Sequence, residues 1–138
     1  ALAEAGLPLD PALVWPTDAW HRVTGAETMQ RLLESGTPFD AVFALNDALA
    51  LGALRVLLAR GVRVPQDVAI IGFDDVDDAR YSSPSLSSVA PGRQQIARTA
   101  VDLLTARIAD RARPFEEIIT DYRVVPREST AAPSPTPN

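Results

Sequence analysis

The chain has 138 residues, 46% of them apolar, with no cysteine and a single histidine, His21. That suffices for one packed domain and excludes disulfides, thiolate metal sites and a His-rich metal centre. The net charge is −5 and all 13 basic residues are Arg, so the chain has no basic face of the kind that displaces counterions from nucleic acid.

No apolar run approaches the roughly 18 residues that would span a membrane. No secretory leader is visible. Because the chain opens Ala1-Leu2-Ala3 rather than with Met, its true start is expected upstream. Residues 2–5, followed by Gly6 and Pro8, read as the last turn of a helix, and Leu13–Trp15 as a short strand closed by Pro16. A helix follows over "TGAETMQRLLESG". Thr24 and Glu27 have capping-box spacing, Met29, Leu32 and Leu33 form its apolar stripe, and Gly36 and Pro38 end it.

"DAVFAL" (40–45) reads as a buried strand. The helix "NDALALGALRVLLARG" follows at once, capped by Asn46 or Asp47 and broadly apolar through Leu49, Leu51, Leu54, Leu57 and Leu58. Such a helix is covered on two sides, by its own sheet and by a homodimer partner or the rest of a larger domain. The run at 68–73, "VAIIGF", suits a parallel strand covered on both faces. Residues 79–91 read as irregular, 93–112 as an amphipathic helix and 116–125 as a last strand. The tail 131–138, "AAPSPTPN", has the composition of a disordered segment. This alternation predicts an α/β fold, a parallel sheet flanked by helices, with ligands bound at the carboxyl ends of the strands. Asn46-Asp47 and Asp74-Asp75 stand at two such ends.

In order and spacing these pieces resemble the LacI/GalR (lactose/galactose repressor) family. The residues that carry the likeness are Asn46-Asp47, Ala50-Leu51-Gly52, Val64-Pro65, Asp67, Gly72-Phe73-Asp74-Asp75, Tyr81, Pro84, Leu86 and Arg127-Glu128-Ser129-Thr130. The resemblance covers about residues 2–130. It implies the C-terminal part of an effector-binding domain with the type I periplasmic-binding-protein-like fold, incomplete here. Residues 1–90 and about 118–130 would belong to the C-terminal lobe, and about 91–117 would cross into the N-terminal lobe. A helix-turn-helix DNA-binding domain, the N-terminal lobe proper and the first strand of the C-terminal lobe are expected outside this sequence.

By resemblance, Asp74 accepts hydrogen bonds from effector hydroxyl or amino groups; as a plain strand-end acid it would cap a loop or face solvent. Asn46 can donate and accept, which suits a diol, but it also sits where a helix N-cap belongs; Asp47 could take the cap and free it. Trp20 is placed to stack on a ligand ring or to pack, Trp15 to pack. Arg80 and Tyr81 are expected at a dimer interface, or on an ordinary surface loop. Asp75, Asp77 and Asp78 lack the spacing of a calcium loop and read as a solvated acidic loop.

The implied function is that of an allosteric transcription regulator, cytoplasmic and homodimeric. A small polar effector, a sugar, would control a DNA-binding domain outside this chain; no membrane, metal or cofactor is implied. The alternative is a periplasmic sugar-binding protein of a transporter. An enzyme is disfavoured, since there is no Gly-rich phosphate loop, no nucleophile–base set and no acid–base partner for Asp74.

Overall fold

The computed structural model describes residues 2–130. A turn over residues 2–7 leads to Asp10, whose carboxylate accepts from the Ala12 amide at 2.9 Å and caps a short 3-10 helix, Pro11–Leu13. Then come α1 (Arg22–Ser35), β1 (Ala41–Phe43), α2 (Asp47–Ala59), β2 (Ala69–Phe73), α3 (Asp77–Tyr81), β3 (Ser87–Ala90), α4 (Arg93–Ala109) and β4 (Arg123–Val125). The sheet order is β1-β2-β3-β4. β1, β2 and β3 run parallel, with Ala41 beside Ala69 and Ile71 beside Ser87.

The expected α/β sheet is present, with four corrections of detail. The last strand is antiparallel to β3, and it covers Arg123–Val125 only. Leu13–Trp15 is not a strand: Leu13 ends the 3-10 helix, and Val14 and Trp15 have no ladder partner among the described residues. The stretch 79–91 is not irregular: it contains the end of α3 and all of β3. Finally, α1 begins at Arg22, two residues before Thr24, with His21 at its N-cap position and no side-chain cap. The capping-box signal is overridden there by tertiary contacts of the first turn. The proline-rich tail lies outside the described residues.

Helices α1 and α2 pack on each other so closely that two glycines are required. A Cβ on Gly52 would stand 1.9 Å from the Arg22 carbonyl oxygen, and one on Gly25 would stand 2.2 Å from that of Leu49. Met29 and Leu32 of α1 and Leu54 and Leu57 of α2 join Val68, Ile70 and Leu86 in the core. The two apolar sides of α2 are thus covered within the chain, by β2 and by α1, while Leu58 stays exposed.

Two apolar surfaces remain open. No residue of α4 is buried, and Ile96, Val101, Leu104 and Ile108 are all exposed. The outer edge of β1 borders a groove of about 780 Å³ lined by Leu13 to Thr17 in part, by residues 38–45 and by Met29 and Leu32.

Candidate functional site

β1 and β2 deliver polar residues to one rim. Phe43 pairs with Ile71, and three residues further along each strand stand Asn46 and Asp74. Trp20 joins them through its carbonyl oxygen, which accepts from Asn46 Nδ2 at 3.2 Å. Its indole is 54% exposed and lines the end of the groove that also includes Leu45.

Asn46 and Asp47 divide their work opposite to one expectation. Asn46 Oδ1 accepts from the Leu49 amide at 2.8 Å and caps α2. Its amide group keeps one N–H and one lone pair for a ligand. Asp47, freed from capping, is 1% exposed. It accepts from the Ser88 hydroxyl at 2.6 Å and the Val76 amide at 2.9 Å. Gly72 makes the space, for a Cβ there would stand 2.2 Å from Asp47 Oδ1. Burial pushes the Asp47 carboxyl above its ordinary range; the bonds from Ser88 and Val76 oppose this, and the charges of Asp74 and Asp75 add to it.

Asp75 corrects the expectation of a solvated acidic loop. It is 4% exposed and pairs with Arg127, with Arg80 at 3.9 Å. Burial alone would raise its pKa, but the hydrogen bond and charge of Arg127, with Arg80 and Arg123, outweigh that and hold it below the ordinary carboxylate value. Asp77 does face solvent at the start of α3, and Asp78 pairs with Arg22 of α1. Among the described residues no cluster of His, Cys, Asp or Glu is arranged to hold a metal ion.

Asp74 differs from every other carboxylate in the quoted motifs. Asp47, Asp67, Asp75 and Glu128 are each bonded within the chain, Asp67 to Arg63 and Glu128 to Ser85. The half-buried Asp74 carboxylate has no hydrogen-bond or ion-pair partner among the described residues. Its backbone is held at φ 106°, and Asp75 at φ 50°. A non-glycine residue in this region costs on the order of 1–3 kcal/mol and persists only where the surroundings enforce it. Here its amide donates to the Val89 carbonyl at 2.9 Å. A free carboxylate on a fixed backbone, at the same rim as the half-used amide of Asn46, can bind a polyhydroxylated ligand by paired hydrogen bonds.

Residues 1–130 match the periplasmic binding protein-like domain family. The chain belongs to this family, in its LacI type. The LacI-type domain is 33% identical over 129 residues to the transcriptional regulator MalR of Clostridium butyricum, covering 94% of this chain and 38% of MalR. It superposes with a TM-score of 0.87 on a LacI-family regulator structure from Sanguibacter keddieii, at 54% identity, over 95% of this chain and 49% of that one. With a CelR–cellobiose complex the TM-score is 0.86 at 36% identity, over 93% of this chain and 39% of that one. The LacI-type domain therefore spans about two fifths to one half of the length of these proteins.

Sequence reading missed Ser88 and Arg127 as supports of the site. The signals were present: the serines in "LSSV" sit in a strand, and the Arg of "REST" is the cation of the returning segment that pairs with Asp75.

Proposed function

We propose that residues 1–130 are part of the effector-binding domain of a LacI-type transcriptional regulator, and that a sugar binds at Asp74. The observation that carries this reading is the unpartnered Asp74 carboxylate at the strand-end rim. Trp20 stacks on the sugar ring, and Asn46 contributes its spare N–H and lone pair. The likeness to a protein in complex with cellobiose supports a sugar as the effector class. In this reading the site binds rather than catalyses, as fits the likeness to transcriptional regulators.

In this reading residues 1–90 and about 118–130 form one lobe, and about 91–117 cross to the other. The uncovered apolar face of α4 supports the crossing, since such a face needs a partner. The groove along the free edge of β1 fits one further extended strand. Arg80 and Tyr81, the latter 85% exposed, face a second copy in a homodimer. Effector binding shifts the lobes between two arrangements and so biases a helix-turn-helix domain elsewhere in the polypeptide. That work is done in the cytoplasm, and among the described residues no helix is long and apolar enough to cross a membrane. The transporter alternative is disfavoured because the similar proteins named above are transcriptional regulators.

A gel-shift assay tests the proposal. The native polypeptide carrying these residues should retard the DNA upstream of its own gene. Cellobiose or another mono- or disaccharide from a panel should change that retardation. Export of the polypeptide and absence of any shift would overturn the regulator reading in favour of the transporter one.

A further inference from the structure

We infer that Ser88 and Arg127 are positioning residues that set the direction of the Asp74 carboxylate by clamping the left-handed turn on which it sits. This deepens the reading of Asp74 as the effector ligand and rests on it. Two consecutive non-glycine residues at positive φ, Asp74 and Asp75, do not hold that shape unaided. Three clamps act on the turn. From the sheet, the Ser88 hydroxyl accepts from the Asp75 amide at 3.0 Å and donates to Asp47 at 2.6 Å, while Asp47 also takes the Val76 amide. From the returning segment after β4, Arg127 pairs with the Asp75 carboxylate and donates to the Leu86 carbonyl at 2.7 Å. From the start of α4, Arg93 donates to the Asp75 carbonyl at 3.1 Å.

Arg127 is the informative member. It lies just beyond β4, in the segment that follows the chain's return from α4. Its neighbours fasten the same segment to the sheet: Ser129 bridges the Ser87 amide and the Ile70 carbonyl, and Glu128 takes the Ser85 amide and hydroxyl. The turn that aims Asp74 is therefore tied to the segment through which the chain returns from α4. Any shift of that segment moves the effector carboxylate, and effector binding in turn holds the segment in place.

Amide hydrogen exchange in the native polypeptide tests the clamp without any ligand. In Ser88→Ala and Arg127→Lys, exchange at Asp74 and Asp75 should accelerate by about tenfold or more, as for loss of a local hydrogen bond. The amides in the middle of α2 should keep their protection. Lys retains the charge but cannot span Asp75 and the Leu86 carbonyl together, so this variant is expected to fold. Unchanged exchange at Asp74 and Asp75, or equal acceleration everywhere, would overturn the positioning role. Titration with cellobiose and the rest of the sugar panel then separates the two readings. If the exchange result holds but Asp74→Asn binds every active sugar as wild type does, the clamp stands and the effector assignment is wrong.

Discussion

Asp47, Asp74 and Asp75 lie at neighbouring strand ends, and their surroundings assign them different tasks. Asp47 is buried without a cation and its pKa is raised; Asp75 is buried against Arg127 and its pKa is lowered. The two therefore tilt stability in opposite directions with pH. The contribution of Asp47 is fully present below its unfolded pKa and is lost as pH rises through its higher folded value. That of Asp75 is present above its unfolded pKa and is lost as pH falls through its lower folded value. Asp47→Asn keeps an acceptor for the Val76 amide and can donate to the Ser88 oxygen, yet carries no charge. Urea unfolding of the native polypeptide should show Asp47→Asn gaining on wild type as pH rises from about 4 to 8. A gap that shrinks over that interval would contradict the burial account. Asp75→Ala should behave oppositely: it leaves Arg127 unpaired and costs about 3–5 kcal/mol near neutral pH, with the deficit narrowing in acid. At this scale the sequence was only partly legible. The polar strand ends could be found from chain order, but which carboxylate is free depends on Arg127, 52 positions away from Asp75.

Among the elements, α2 and β2 were readable because their apolar patterns are strong, and β3 was not. Ser87 and Ser88 look like turn residues, yet both are fully buried in a central strand. Each hydroxyl is satisfied inside the fold, Ser87 by Arg127 and Thr130 and Ser88 by Asp47 and Asp75. Composition alone cannot reveal partners supplied from distant segments. The start of α1 was misread for a related reason, since contact with α2 prevails over a local capping signal. That contact gives a graded test. Gly52→Ala places a Cβ 1.9 Å from backbone and should cost about 3 kcal/mol or more, because overpacking against backbone cannot relax through a rotamer. Gly36→Ala meets open space at φ 71° and should cost only about 1 kcal/mol. Denaturant midpoints of the two variants decide the order; equal losses would mean that the helices separate easily.

At the scale of the whole molecule, the sequence showed an α/β domain and the rim on which its polar residues converge. It missed the antiparallel direction of β4, where a parallel sheet was expected, and left open what covers α2, both products of long-range packing. The open groove beside β1 and the uncovered face of α4 describe a fold whose apolar surfaces are not all closed by these residues. The isolated 138-residue chain should therefore bind a hydrophobic dye and melt over a broad range. A sharp cooperative melt of the isolated chain would contradict this. The central claim is that Asp74 is the effector ligand, and calorimetric titration of the native polypeptide and its Asp74→Asn variant with the sugar panel tests it most directly. The account predicts that the variant folds as wild type, since no partner among the described residues is lost, and that its sugar affinity falls by at least about tenfold, the scale of a lost charge-assisted bond. Equal affinity in the two proteins would contradict it.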